Sequence, residues 1–173
     1  MRSETDAILE LFRRFLRSYG PATTGDFTHW WGSLRDEDRS ALKRDREGLE
    51  EVELNGRMGL MLKHDAEEAR SLGPTHMVSL LPAFGCYPMQ YSPRELFIPD
   101  AYRGRVFRAA GWNYPTVVVD GHAAGIWNLK KRGRDIEGDI EPFKALDTKE
   151  KKGIEDEASD IGRFLDAAAT VHF

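Results

Sequence analysis

Apolar residues in the first twenty positions recur every three or four residues, which is the spacing of one face of an α-helix. The members of this stripe are Ile8, Leu11, Phe12, Phe15 and Tyr19. Ser3 or Thr5 can cap the N-terminus of this helix, and Glu4 and Asp6 place negative charge in its first turn. Gly20-Pro21 predicts its end, because glycine followed by proline is typical of helix C-termini.

Two further helices are predicted before the chain changes character. The second has Thr23 or Thr24 as its N-cap and ends at Gly32. Its apolar face is formed by Phe27, Trp30 and Trp31. The third is predicted over residues 33–47, where charged side chains dominate and only three positions are apolar. Most of this third helix must therefore face water or a polar partner.

The hydrophobic spacing changes from a helical period to a period of two near residue 50. Val52 and Leu54 alternate with glutamates, and residues 59–62 supply a return strand. Between them, Asn55-Gly56 predicts a hairpin turn, because both central residues of a type I′ turn need positive φ. Three helices followed by a hairpin are the element order of a winged helix.

The second half of the chain predicts mostly strands. A short helix over residues 65–71, closed by Gly73-Pro74, connects the two halves. The strand segments are Met77–Leu81, Thr116–Val119, Ala123–Lys130 and Asp135–Phe143. A closing helix is predicted over Asp147–Ala169. The fold class is therefore α+β: a winged-helix domain over residues 1–72, then a small antiparallel β-barrel-like domain over residues 73–173 with a C-terminal helix.

The composition excludes several classes of protein. The 173 residues carry 25 Lys and Arg against 29 Asp and Glu, and a net charge of −4 excludes a basic chromatin-type protein. The single cysteine, Cys86, excludes a disulfide framework, and the histidines lack metal-binding spacing, so we expect no metal and no cofactor. No apolar run approaches the roughly 20 residues that span a membrane. The charged N-terminus lacks a signal-peptide core, which predicts a cytoplasmic protein with no membrane partner.

The third predicted helix contains the first candidate DNA-binding residues. Its cations recur three or four positions apart and would lie along one side, where they can contact phosphates. These cations are Arg35, Arg39, Lys43 and Arg46. The alternative is a solvated face on which the acids of residues 36–38, Asp45 and Glu47 pair with the cations. Thr23 and Thr24 stand at a helix N-terminus, where backbone N–H groups bind anions, or they act only as caps.

A second basic patch lies between residues 94 and 134, where eight cations stand against three acids. At a predicted strand end, its candidate phosphate contacts, or merely solubilising charges, are Lys130, Lys131 and Arg132. Base stacking is one interpretation of Trp112, Tyr114 and Trp127, and interior packing is the favoured one. Trp127 lies in an alternating strand and should face the core. The acids of residues 135–141 share one strand face and are expected to form a solvent-facing acidic edge.

Three motifs follow one another in a recognisable order. They are FLRSYGPATTGDFTHWWG (15–32), VSLLPAFGCYPMQY (78–91) and FRAAGWNYPTVVVDGHAAGIW (107–127), followed by EPF (141–143) and a terminal helix. This order resembles the C-terminal part of the winged-helix family that includes the AlkZ-type crosslink-repair DNA glycosylases. The resemblance implies winged-helix domains followed by a small barrel, arranged as a concave DNA-binding surface.

The resemblance also implies where catalysis resides in the family. Its catalytic element is a short motif of Gln, an apolar residue, and Gln or Asp, carried by the N-terminal region. The sole glutamine of this sequence is Gln90, followed by Tyr91-Ser92, and it does not match that motif. Gly85-Cys86 is a second departure, because the family has an Asp after the Phe.

These observations predict a DNA-binding protein that is non-catalytic alone. Its expected partners are duplex DNA and, where one exists, a separately encoded N-terminal half. One alternative is an active DNA glycosylase in which Gln90 or an acid of residues 135–141 positions the hydrolytic water. Another is an interaction or small-molecule-binding module that never contacts DNA.

Overall fold

The chain forms two compact units, Met1–Pro74 and Thr75–Phe173. The computed structural model describes residues 3–54, 56–73, 75–90, 94–133 and 135–173, and gives the backbone alone at Gln90, Ala110 and Arg132. The domain boundary predicted from the sequence lies after residue 72. No helix in the described ranges is both long and apolar enough to cross a membrane.

Unit 1 follows the predicted order of elements in its described residues. These are α1 (Glu4–Tyr19), α2 (Thr24–Trp31), α3 (Asp36–Arg44), β1 (Leu49–Leu54), β2 (Arg57–Leu62) and α4 (Lys63–Ser71). Ser3 caps α1 and Thr23 caps α2. In both caps the hydroxyl accepts the N–H of an aspartate three residues later, whose carboxylate accepts the N–H of the cap residue. Both predicted helix starts are therefore confirmed.

The third helix is shorter than the sequence predicted. α3 begins after Arg35, which makes no side-chain cap, and ends before Asp45. Arg13 of α1 binds the Asp45 carboxylate and a carbonyl oxygen just beyond it, which draws this segment toward α1. The prediction of one helix over residues 33–47 is therefore wrong at both ends, and Arg35 and Arg46 lie outside the helix.

The apolar stripe of α1 forms the centre of the unit 1 core, as its spacing predicted. The buried core residues are Phe12, Phe15, Leu16, Ala22, Phe27, Leu34, Leu42, Leu49 and Leu60. The ring centroid of Phe27 in α2 lies 5.2 Å from that of Phe12 and 5.5 Å from that of Phe15. Each buried aromatic side chain contributes about 2 kcal/mol through the hydrophobic effect, so this contact fixes α2 against α1.

β1 and β2 form the predicted antiparallel hairpin. Leu54 is opposite Arg57, so the connection contains two residues. Gly56 has a φ of 78°, which is the positive value that the turn requires. Asn55, the other residue of the predicted turn, lies outside the described residues.

The segment before α2 joins the hairpin. Ala22 and Leu60 exchange backbone hydrogen bonds at 3.1 and 2.8 Å, which adds a short third pairing to the two-stranded sheet. Gly59 makes this approach possible, because a Cβ at that position would lie only 3.0 Å from the Ala22 nitrogen. The bridge therefore holds the start of α2 beside β2.

Unit 2 contains a sheet in the order β3-β4-β5-β6-β7. Its strands are β3 (Val78–Leu81), β4 (Thr116–Val119), β5 (His122–Arg132), β6 (Asp135–Pro142) and β7 (Ala168–His172). Its helices are α5 (Cys86–Gln90), α6 (Asp100–Val106) and α7 (Thr148–Phe164), with 3₁₀ turns at Arg94–Leu96 and Ala109–Gly111. The first four strands match the segments that the hydrophobic pattern predicted.

The last segment of the chain is a strand rather than helix. The predicted helix over Asp147–Ala169 ends at Phe164, where Asp166 reverses the chain with a φ of 51°. β7 then pairs in parallel with β6 and covers its backbone edge. The sheet is therefore mixed, not antiparallel. The prediction that residues 135–141 form an edge strand is wrong, since β6 lies between β5 and β7.

Apolar side chains pack on both faces of this sheet. One cluster includes α7 and contains Leu80, Val117, Trp127, Ile140, Ile154 and Ala158. The other contains Phe97, Ile98, Val106, Val118, Ala123 and Ile126. Trp127 is buried, and its indole Nε1 donates a hydrogen bond to the Leu81 carbonyl at 2.9 Å. The predicted core position of Trp127 is therefore confirmed.

Candidate nucleic-acid interface

The N-terminus of α2 is built around a buried carboxylate. The Thr23 hydroxyl accepts the Asp26 N–H at 3.1 Å and donates to the Asp26 carboxylate at 2.7 Å. Arg57 of β2 binds both oxygens of that carboxylate at 2.8 Å. Thr23 therefore acts as a cap, and Arg57 neutralises the charge beneath the helix end. The remaining free N–H groups of the first turn keep their affinity for anions.

Two clefts meet at this helix N-terminus, and half-buried Thr24 lines both. The first, of about 190 Å³, lies toward β2 and is lined by Thr23 and Arg46, with Glu51 as its one acid. The second, of about 260 Å³, lies toward α3. We call the two clefts together the basic groove. Five predicted residues meet there: Thr23, Thr24, Arg39, Lys43 and Arg46.

The cations of the basic groove keep their charge available. Arg39 donates to the Leu34 carbonyl at 3.2 Å, and Arg46 donates to two backbone carbonyls near the end of α3. Lys43 is exposed. Within the described part of the chain, Arg39, Lys43 and Arg46 form no ion pair. Their positive field therefore faces the groove without a bound carboxylate.

Two of the neighbouring acids, Asp38 and Asp45, are bound by arginines outside the groove. Arg35 binds the buried Asp38 carboxylate with an Nε–Oδ2 distance of 2.8 Å, and this hydrogen bond lowers the pKa of Asp38. Arg13 binds Asp45 with an Nη1–Oδ2 distance of 2.5 Å, and this hydrogen bond lowers the pKa of Asp45. Both carboxylates stay ionised and satisfied, so they do not compete for Lys43 or the other groove cations.

Arg35 is the predicted residue that the structure separates from the groove. It precedes α3, and its guanidinium also binds Glu4 and Glu37, at 2.5 and 2.9 Å. The alternative of a solvated, acid-paired helix face therefore describes Arg35. It does not describe Arg39 and Lys43, which lie one helical turn apart on α3.

The second predicted patch lies at the end of β5 in unit 2. Lys130 is paired with Asp139 of β6, with an Nζ–Oδ2 distance of 2.7 Å. Lys131 is exposed and forms no ion pair with the residues that the structure describes. The Arg132 backbone faces Asp135 across the turn, and its side chain lies outside the description. This patch is consequently weaker than its sequence suggests, because β6 supplies a counter-charge.

Two of the four alternative catalytic acids on β6, Asp139 and Glu141, are held in ion pairs. Lys130 lowers the pKa of Asp139, and Glu141 binds Arg105 at 3.1 Å. A general acid works best with a pKa near the operating pH, so the lowered pKa of Asp139 favours its ionised form over proton transfer. The Gln90 side chain lies outside the described residues.

Sequence reasoning missed one group with metal-ligand chemistry. His64, Asp65 and Glu68 at the start of α4 each bring a ligand atom within 4.8 Å of the others. Their spacing of one and three residues is not a usual metal-binding motif, so the sequence pattern does not indicate this group. Arg17 binds Asp65 at 3.1 Å and neutralises its carboxylate, which reduces the negative charge available to a metal ion.

A family model described as DNA glycosylase AlkZ-like matches residues 1–164. The chain belongs to the AlkZ-like DNA glycosylase family. The interstrand DNA cross-link repair glycosylase of Streptomyces sahachiroi is 30% identical over 168 residues, which is 94% of this chain and 44% of that protein. The solved structure of Streptomyces sahachiroi DNA glycosylase AlkZ matches with a TM-score of 0.82 at 26% identity. That match covers 99% of this chain and 47% of that one.

The AlkZ-like relationship confirms the resemblance that the three sequence motifs carried. It also relates the chain to DNA repair and supports the mixed α and β architecture. The chain spans less than half the length of the relatives it matches, and the matched region is their C-terminal part. The activity of those longer proteins therefore does not transfer directly to these 173 residues.

Proposed function

We propose that this chain binds duplex DNA through a winged helix formed by α1–α3 and the β1–β2 hairpin. In this arrangement the basic groove contacts backbone phosphates. The observation that carries the proposal is the convergence of Arg39, Lys43 and Arg46 on the N-terminus of α2 at Thr24. None of these cations has an ion pair among the residues that the structure describes.

The chemistry of the basic groove suits a phosphate on two counts. Free N–H groups in the first turn of α2 point toward an anion, and the helix dipole favours negative charge there. Arg39, Lys43 and Arg46 supply flexible cations on both sides of Thr24. Such contacts fix a protein on the duplex without reading its sequence. We therefore propose sequence-independent binding by the groove.

The test is a fluorescence-anisotropy titration of a labelled duplex at several salt concentrations. Replacing Lys43 with Ala should weaken binding and lower the slope of log affinity against log salt by about 1. Arg14→Ala is the matched control, because Arg14 is an exposed cation of α1 that is paired with Glu10. Equal losses for Lys43→Ala and Arg14→Ala would show that general charge, not the groove, determines binding.

We further propose that the chain is non-catalytic by itself. The family resemblance assigns catalysis to a Gln motif that this sequence lacks, and two of the β6 acids, Asp139 and Glu141, are ion-paired. We propose that its damaged partner is DNA with an interstrand cross-link, because the Streptomyces sahachiroi relative is named for the repair of such DNA. A separately encoded polypeptide with the Gln motif would supply the missing chemistry.

The cytoplasmic location stays a prediction.

A further inference from the structure

Two exposed aromatic side chains form a pair on the surface of unit 2. Phe84 follows β3, and Trp112 lies in the loop before β4. Their relative exposures are 50% and 52%, and their ring centroids lie 5.0 Å apart in an edge-on arrangement. Large aromatic side chains normally bury most of their surface in a core. This aromatic pair therefore leaves a hydrophobic surface open to solvent.

The backbone holds the aromatic pair outward through an unusual conformation. Phe84 has a φ of 59°, in the left-handed region that non-glycine side chains rarely adopt. The Oδ1 atom of Asn113 accepts the Phe84 N–H at 2.5 Å. Asn113 is 1% exposed, and its Nδ2 atom finds no acceptor among the described residues. The buried Asn113 side chain therefore uses its oxygen to hold the Phe84 backbone in this conformation.

The backbone of Arg108 is hydrogen-bonded to Trp112 of the aromatic pair. The Arg108 N–H donates to the Trp112 carbonyl at 2.7 Å, and the Arg108 guanidinium lies 5.1 Å from the centre of the Tyr114 ring. In the described residues Arg108 forms no ion pair, and neither does Arg94, whose guanidinium lies over Phe107. Aromatic faces interleaved with cations are the composition of single-strand nucleic-acid sites.

We infer that the Phe84–Trp112 pair binds one unpaired DNA base, with Arg108 contacting the adjacent phosphate. The indole face stacks on the base, and stacking tolerates every base because each has a π-face. The positive charge of Arg108 selects a polyanion over an apolar protein segment. This inference rests on the proposed DNA-binding function, and it adds a preference for a base that is out of the stack.

The test compares two labelled duplexes that differ only by one bulged 2-aminopurine. The wild-type chain should bind the bulged duplex more tightly than the perfect one and should quench the 2-aminopurine fluorescence. Trp112→Ala should reduce affinity for the bulged duplex about tenfold and abolish the quenching, while affinity for the perfect duplex changes less than about twofold. Trp112→Phe keeps an aromatic face and should restore most of the preference.

Phe164→Ala is the control, because Phe164 is an 88% exposed aromatic residue in the same unit and should change neither affinity. The inference is overturned if the wild-type chain shows no preference for the bulge, or if Trp112→Ala weakens both duplexes equally. Absence of binding to the perfect duplex would instead reject the proposed groove function. In that case the inference is tested with a single-stranded 2-aminopurine oligonucleotide. The wild-type chain should quench its fluorescence and Trp112→Ala should not; equal quenching by both proteins would overturn the inference.

Discussion

Arg13 of α1 and Asp45 after α3 form a two-bond ion pair, with Nη1–Oδ2 at 2.5 Å and Nη2–Oδ1 at 3.2 Å. The pair lies at the C-terminal end of α3 and holds that end against α1. It also occupies the carboxylate that lies next to Arg46 in the sequence, so the charge of Arg46 stays available in the basic groove. One contact thereby serves both the fold and the candidate interface.

Replacing Asp45 with Asn should reduce the free energy of unfolding at neutral pH by about 2 kcal/mol, since it removes hydrogen bonds between charged groups. Arg13 lowers the pKa of Asp45 in the folded protein below its ordinary value of about 3.9. The stabilisation is therefore complete above that ordinary value and is lost progressively as the pH falls from it through the lowered pKa of the folded protein. Urea unfolding of both proteins at pH 7 and pH 3 measures this.

Glu10→Gln provides the comparison for this pH effect. The Glu10–Arg14 pair is exposed on α1, so its loss should change the free energy of unfolding by less than about 0.5 kcal/mol at either pH. A difference between wild type and Asp45→Asn that is the same at pH 7 and pH 3 would contradict the role given to the ion pair.

Arg57→Ala should destabilise unit 1 by about 3 kcal/mol, because it leaves the buried Asp26 carboxylate without its cation. Thermal unfolding followed by circular dichroism measures the loss. Adding Asp26→Asn to this variant should recover part of the stability, since no buried charge then remains unpaired. An Arg57→Ala variant that unfolds at the wild-type temperature would show that Arg57 does not neutralise the buried Asp26 carboxylate.

Affinity for undamaged duplex DNA should be weak, with a dissociation constant of about 10⁻⁴ to 10⁻⁶ M, and should fall as salt rises. The reason is that phosphate contacts release counterions from the duplex, while the net charge of the chain is −4. Anisotropy titrations at low and high salt measure both quantities. An affinity that is independent of salt would be incompatible with phosphate binding by Arg39, Lys43 and Arg46.

The chain alone should release no base from alkylated or cross-linked DNA. A glycosylase must extrude the base and position a water against the sugar, and the family motif for that task is missing here. Detection of abasic sites after incubation with alkylated duplex tests this expectation. Abasic sites above background that disappear in Gln90→Ala or Glu137→Ala would establish a divergent glycosylase. Glu50→Gln, which alters an acid outside the candidate residues, is the control.

The sequence by itself determined most of the local structure. The stripe through Phe12 and Phe15, the caps at Ser3 and Thr23, and the alternation of β6 are short-range patterns that the structure retains. The three motifs likewise identified the AlkZ-like family before any fold was known. These features survive because the interactions that encode them join residues only a few positions apart.

Only the tertiary structure decided which charged side chains form ion pairs and which strands lie at the edge of the sheet. Arg35 and Arg39 look equivalent in sequence, but Arg35 is bound by Glu4 of a distant helix, and Arg39 is not. Residues 168–172 form β7 because they hydrogen-bond to the open backbone edge of β6, and no local sequence pattern indicates that pairing. Phe84 likewise meets Trp112 through long-range packing. Ion-pair partners, strand neighbours and surface contacts depend on residues far apart in the chain, which local spacing does not encode.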